Sequence, residues 1–231
     1  MALGGQGAPL APAFHQVLFG NNQQDVFIIN IGGIANITYL PADKKQKVLG
    51  YDTGPGNALM DDWFQKHHHG PYDVDGLWAA SGTINQSLLT RLLDNSYFAR
   101  PAPKSTGREV FHMPWLAQHT AQLSLPAADV QATLCALTAE TIAGEITGLS
   151  ASGNIYLCGG GTHNKTLKKL LIQKLKSFNF EDTSRQNIDI DALEAMAFAW
   201  LAYAFDKKIT GNIPAVTGAS QEAVLGSPYF P

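Results

Sequence analysis

Short apolar runs broken by glycine-rich turns organise the first quarter of the chain, and runs with a helical apolar repeat organise most of the rest. Residues 25–31, Asp25-Val26-Phe27-Ile28-Ile29-Asn30-Ile31, read as a buried strand. Residues 34–40 read as its partner after the Gly32-Gly33 turn, and Val48-Leu49-Gly50-Tyr51-Asp52 as a third strand of a small meander. The next stretch, Asp52-Thr53-Gly54-Pro55-Gly56-Asn57, predicts a loop, because proline cannot donate to a strand ladder and glycine weakens one. Helical spacing from Ala58 to Phe64 follows, with Asn57 as its expected cap.

A helix is also expected near residues 9–19, and two short ones between Tyr72 and Phe98. The prolines of Arg100-Pro101-Ala102-Pro103-Lys104-Ser105-Thr106-Gly107-Arg108-Glu109 predict an irregular surface segment. Asp129 is the expected cap of a helix from Val130 to about Leu149. A buried strand over 154–157 then leads to an amphipathic helix from Lys165 to Lys176 with its lysines outward. A last long helix is predicted to open at Asp189-Ile190-Asp191-Ala192-Leu193-Glu194 and to run through Phe205. Strands first and helices alternating with strands afterwards, without an internal repeat, indicate an α/β protein. Trp63, Trp78, Trp115 and Trp200 fall in helical apolar patterns and are expected in the core.

The 231 residues are 45% hydrophobic and 15% charged, enough to bury a sizeable core in one large or two small domains. A net charge of −3 provides no basic stripe, which argues against nucleic acid and for a small-molecule ligand. Two cysteines in apolar contexts, Cys135 and Cys158, with no signal peptide and no membrane-length apolar run, predict a cytoplasmic protein that does not engage a membrane.

Chemistry concentrates at two glycine turns that each follow a β-branched run. Gly159, Gly160 and Gly161 can let a flat ring lie against bare backbone, and Asn164 follows closely; the bland alternative is a tight strand-to-helix connection. Gly32 and Gly33, flanked by Asn30 and Asn36, can face phosphate oxygens with backbone amides, or simply form a hairpin turn. Asp52 with Thr53 suits a carboxylate holding hydrated Mg²⁺ or a sugar hydroxyl, against the alternative of a turn-forming aspartate. Lys104, Ser105, Thr106, Arg108 and Glu109 can grip a carboxylate-bearing sugar, or form a solvated charged loop. His67-His68-His69 point in different directions on a helix and complete no ligand pattern, so no metal site is assigned.

At Asn30–Asn36, Gly50–Asn57, Pro103–Glu109, Cys158–Gly161 and Pro214–Ala219 the chain resembles anhydro-N-acetylmuramic acid kinases, in one order and essentially from end to end. The resemblance implies an actin-like ATPase (ribonuclease H-like) lobe, with a mixed sheet flanked by helices, from the superfamily of sugar kinases, actin and heat-shock ATPases. In domain terms, residues 1–24 would be a lead-in segment. Residues 25–231 would form the C-terminal nucleotide-binding lobe, with a helical insertion at about 58–128. It further implies ATP and Mg²⁺ as cofactors and anhydro-N-acetylmuramic acid as substrate. The anhydro ring would be opened by water while the γ-phosphate passes to O6, giving N-acetylmuramic acid 6-phosphate in cell-wall recycling. Gly32 and Gly33 would belong to the second phosphate loop and Gly159–Gly161 to the adenosine loop, while Glu140 resembles a family carboxylate facing the sugar.

The family's first phosphate motif and its catalytic aspartate have no counterpart here; by the resemblance they would lie upstream of Met1. The expectation is therefore a C-terminal portion with negligible turnover by itself. A stand-alone nucleotide- or muramyl-sugar-binding module, and a lobe that forms a homodimer, are the competing expectations.

Overall fold

The computed structural model describes residues 3–5, 7–20, 23–181 and 192–227. Its centre is a five-stranded sheet of β1 (Val26–Ile31), β2 (Ile34–Leu40), β3 (Leu49–Pro55), β4 (Gly153–Cys158) and β5 (Phe178–Glu181), in the order β3-β2-β1-β4-β5. β1 pairs antiparallel with β2, and β2 with β3, while β4 and β5 add in parallel on the other side of β1. This is the α/β mixed sheet flanked by helices that the sequence implies, and its order is that of a ribonuclease H-like lobe.

Helices cover both faces, which explains why β1 is apolar almost throughout. Strand parity sorts the side chains. Phe27, Ile29, Ile31, Ala35, Ile37, Tyr39, Ile155 and Leu157 join one large core on the first face. That core includes residues of α2 (Ala58–His67), α3 (Leu77–Ser81), α4 (Gln86–Leu93), α5 (Met113–Thr120), α6 (Ala127–Leu149) and α7 (Lys165–Lys174). Val26, Ile28, Leu40, Tyr156 and Cys158 face the opposite way, onto Phe14 and Phe19 of α1 (Ala11–Phe19) and Leu193 and Ala197 of α8 (Leu193–Asp206). A final short helix, α9, spans Pro214–Thr217.

Four local expectations are corrected. β3 continues to Pro55 instead of stopping at Asp52; it is an edge strand, where a missing N–H leaves no ladder bond broken on its open side. Asn57 occupies the cap position of α2 but its side chain makes no cap; Nδ2 donates instead to the Ile31 carbonyl at 3.1 Å. α6 starts at Ala127 behind Pro126, and the Asp129 carboxylate accepts from the Thr83 N–H at 2.8 Å, tying the preceding connection to the helix. β5, only four residues long and half polar, was not expected. The predicted opening of the last helix at 189–191 lies outside the described residues. Trp63 and Trp115 are buried as expected, whereas Trp78 and Trp200 are half-exposed and pack against the margins of the two cores, Trp200 tilted against Phe14 at a ring distance of 5.9 Å.

Candidate nucleotide-binding cleft

Asp52, Asn36, Asn30 and Cys158 stand in one transverse row across β3, β2, β1 and β4: Asn36 is opposite Asp52, Asn30 opposite Asn36, and Cys158 opposite Asn30. The row lies on the face that carries Ile28 and Leu40 one or two strand steps away, so the same alternation that builds the second core places these polar groups together. They form the floor of a cleft of about 620 Å³, walled by α1 and α8 and closed at one end by Gly159 and Gly160. From β1 the chain proceeds to β2 and β3 on one side, and later to β4 and β5 on the other. The cleft therefore opens beside the carboxyl ends of β1 and β4 at a topological switch point, where open α/β sheets bind their ligands.

The three glycines after β4 have separate duties. Gly159 has φ +79, and a Cβ there would stand 2.3 Å from Asn30 Oδ1. A Cβ at Gly161 would stand 2.3 Å from the Ile31 side chain. These two are glycine so that the turn can close over the end of β1. Gly160 alone is exposed, with nothing within 4 Å of its missing Cβ, and it lines the cleft. A single-turn 3-10 helix over Gly160–His163 follows, and only then α7, whose first turn is capped by Asn164 Oδ1 accepting from Leu167 N–H at 2.9 Å. Asn164 is thus committed to the helix and does not line the cleft.

Gly32 and Gly33 do not line it either. Their carbonyls accept from the N–H groups of Asn57 (2.8 Å), and of Gly56 and Ala58 (2.9 and 3.1 Å), which fastens the β1–β2 turn to the start of α2. Asn30 and Asn36 are half-buried, and their side chains make no hydrogen bond to protein among the described residues, so both amides are available to a ligand. Thr53 is fully buried on the other side of β3, where its hydroxyl donates to the Ala35 carbonyl at 3.2 Å.

The 100–109 segment meets the cleft only through Asp52. Ser105 Oγ and Thr106 N–H both donate to Asp52 Oδ2 at 3.0 Å. Lys104 is buried and its ammonium contacts Glu145 at 2.7 Å. Arg108 reaches both oxygens of Asp62, and the Glu109 carboxylate folds over Gly107, so neither lines the cleft. Glu140 pairs with Lys174 of α7 and is also outside it. His67 and His68 pack on Trp63 and Trp78, each at a ring distance of 4.3 Å.

Three cleft residues went unnoticed in the sequence. His15 of α1 is buried and its Nδ1 lies 2.9 Å from Thr38 Oγ1; burial pulls the imidazole down to about 4, so it is neutral at neutral pH. Thr38 could have been found, because it alternates with Asn36 along β2. Tyr51 also borders the cleft, and burial, together with the Glu145 carboxylate that its hydroxyl contacts at 2.9 Å, raises its pKa. Burial likewise pushes the Cys158 thiol up to about 12, which makes it an inert wall atom.

A family model for anhydro-N-acetylmuramic acid kinase matches residues 1–231. The chain belongs to that family. Among curated anhydro-N-acetylmuramic acid kinases it is 52% identical to that of Colwellia psychrerythraea, covering 100% of this chain and 63% of the relative. It is 49% identical to that of Vibrio cholerae, covering 100% and 62%. The chain thus spans about 63% of the length of the family members it matches. A solved activator of the 2-hydroxyisocaproyl-CoA dehydratase from Clostridium difficile with bound ADPNP is similar at 13% identity and a TM-score of 0.47, covering 88% of this chain and 69% of that one.

Proposed function

We propose that this chain supplies the nucleotide-holding lobe of an anhydro-N-acetylmuramic acid kinase, and that the transverse cleft receives Mg²⁺–ATP. The observation that carries the reading is the convergence of Asn30, Asn36, Asp52 and Gly160 on one cleft at the switch point of the sheet. Gly160 offers a stretch of backbone without a side chain, against which a purine can lie flat. The uncommitted amides of Asn30 and Asn36 can donate to phosphate oxygens, and α8 contributes the apolar wall through Ala197 and Phe198.

No lysine or arginine lines the cleft among the described residues, so a polyphosphate needs its charge offset otherwise. Asp52 Oδ1 has no protein partner among the described residues, and one carboxylate beside two amide oxygens suits a Mg²⁺ that keeps most of its waters. The ion would supply charge neutralisation on the phosphates. The chain's own residues orient the nucleotide and present its terminal phosphate toward the sugar.

In the full reaction, water would attack the anomeric carbon of the anhydrosugar while the freed O6 accepts the γ-phosphoryl group. A base must stand within hydrogen-bond reach of that water. Among the described lining residues none is assigned that role: His15 Nδ1 contacts Thr38, Asp52 accepts from Ser105 and Thr106 through Oδ2 and offers Oδ1 to the ion, and Glu194 is exposed on α8. The base and the first phosphate loop are assigned to the part of the family's length that this chain does not span, so the chain alone binds without turnover. Its two buried free thiols fit a reducing cytoplasm. No described helix is long and apolar enough to cross a membrane.

Calorimetric titration with Mg²⁺–ATP tests the reading. Saturable one-site binding supports it, and a folded chain that takes up no nucleotide overturns it.

A further inference from the structure

Four hydrogen bonds join Asp52 to the segment 97–106. Tyr97 OH donates to the Asp52 carbonyl at 2.6 Å, and the Asp52 N–H donates to the Lys104 carbonyl at 3.1 Å. The other two are those from Ser105 Oγ and Thr106 N–H to its carboxylate. That segment has no regular structure, so something else must hold it still. Lys104 provides the anchor. Its side chain is 3% exposed, and its ammonium contacts Glu145 Oε1 at 2.7 Å, donates to the Phe98 carbonyl at 3.1 Å and lies 5.0 Å over the Tyr97 ring. Glu145, on α6, uses its other oxygen to accept from Tyr51 OH, one residue before Asp52 on β3.

We infer that the Lys104–Glu145 ion pair is a positioning device that sets the Asp52 carboxylate in the cleft. Glu145 grips β3 through Tyr51 and the loop through Lys104, so the strand and the loop that share Asp52 are fixed to one point on α6. A buried ion pair adds little net stability over an apolar replacement, because desolvation offsets the attraction. What it does provide is a directed, short-range link from α6 to the loop, whose backbone otherwise meets β3 through the bond from Asp52 N–H to the Lys104 carbonyl. Lys104 thereby acts through Asp52 and not by gripping the sugar. The consequence for nucleotide binding rests on the proposed function above.

The test compares the parent with Lys104→Met, Glu145→Gln and Lys104→Arg, each with Asp52 intact and in an Asp52→Asn background. Amide exchange by NMR at Asp52 and Thr106 is read against the core amides of Ile29 and Ile37. Mg²⁺–ATP dissociation constants are measured alongside. Loss of the pair is expected to speed exchange at Asp52 and Thr106 and to weaken Mg²⁺–ATP binding by about tenfold, the size of coupling between contacting groups. The affinity loss should vanish in the Asp52→Asn background, and Lys104→Arg should retain parent behaviour. A paired Lys104→Met, Glu145→Leu variant, which leaves no lone buried charge, should fold and show the same losses if a single variant does not fold. Unchanged exchange at both amides, or an affinity loss as large without the Asp52 carboxylate, overturns the inference. If exchange accelerates but the parent binds no Mg²⁺–ATP, the pair still holds Asp52 and it is the nucleotide reading that fails.

Discussion

A methyl group added to Gly159 would stand 2.3 Å from Asn30 Oδ1, whereas one added to the neighbouring Gly160 would meet nothing within 4 Å. Adjacent positions in a glycine triplet thus differ completely in what they tolerate. Gly159→Ala must also hold a positive φ, a strain of about 1–2 kcal/mol for a residue with a Cβ, and it displaces Asn30 from the cleft floor. Denaturant unfolding is expected to show a loss of about 2 kcal/mol or more for Gly159→Ala, and a change within about 0.5 kcal/mol for Gly160→Ala. Equal losses at both positions would contradict the division of duties.

Asn164 caps α7 instead of lining the cleft. Asn164→Ala is expected to cost about 1 kcal/mol of stability, while Asn164→Asp keeps the cap. Thermal unfolding distinguishes the two, and Mg²⁺–ATP affinity should be unchanged in Asn164→Asp. A selective loss of affinity in that variant would return Asn164 to the binding site.

Burial lowers His15 to about 4 in the folded chain, against 6.5 for an exposed histidine. Between those values the unfolded chain binds a proton that the folded chain refuses, so His15 withdraws stability as pH falls from about 6.5 to 4. The total is on the order of 3 kcal/mol, and the penalty is absent above pH 6.5. Asp61 opposes this over part of the range: burial, then the neighbouring Asp62, push it up to about 6, so its folded form binds a proton more readily and gains stability as pH falls from 6 toward 4. The difference between the parent and His15→Asn, measured by urea unfolding at several pH values, isolates the histidine. The parent should lose stability relative to the variant on acidification; a pH-independent difference would show that His15 titrates normally.

Much of the fold was legible because burial and period coincide. β1 and β4 lie where apolar runs end in glycine turns and β2 where one starts after such a turn, and α7 follows from lysines falling between Leu167 and Leu171. The extension of β3 through Gly54 and Pro55 was not legible, since it depends on β3 being an edge, which is a property of the sheet and not of the segment. β5 was too short and polar to announce itself. For the site, the sequence named Asn30, Asn36, Asp52 and Gly160, all of which the fold brings together, because each ends or interrupts an apolar run. It could not separate Gly160 from Gly159 and Gly161, whose neighbours on β1 are 128 or more positions away. Nor could it show that Lys104, chemically suited to an anionic ligand, is buried against Glu145, since that pairing arises only when α6 packs on β3.

The most direct test of the cleft as a nucleotide site is Mg²⁺–ATP titration of the parent beside Gly160→Val, with unfolding curves run on both. The open space at Gly160 predicts a variant that folds like the parent and loses saturable binding, because the isopropyl group occupies the surface assigned to the purine. A normally folded Gly160→Val that binds Mg²⁺–ATP as tightly as the parent would contradict the account.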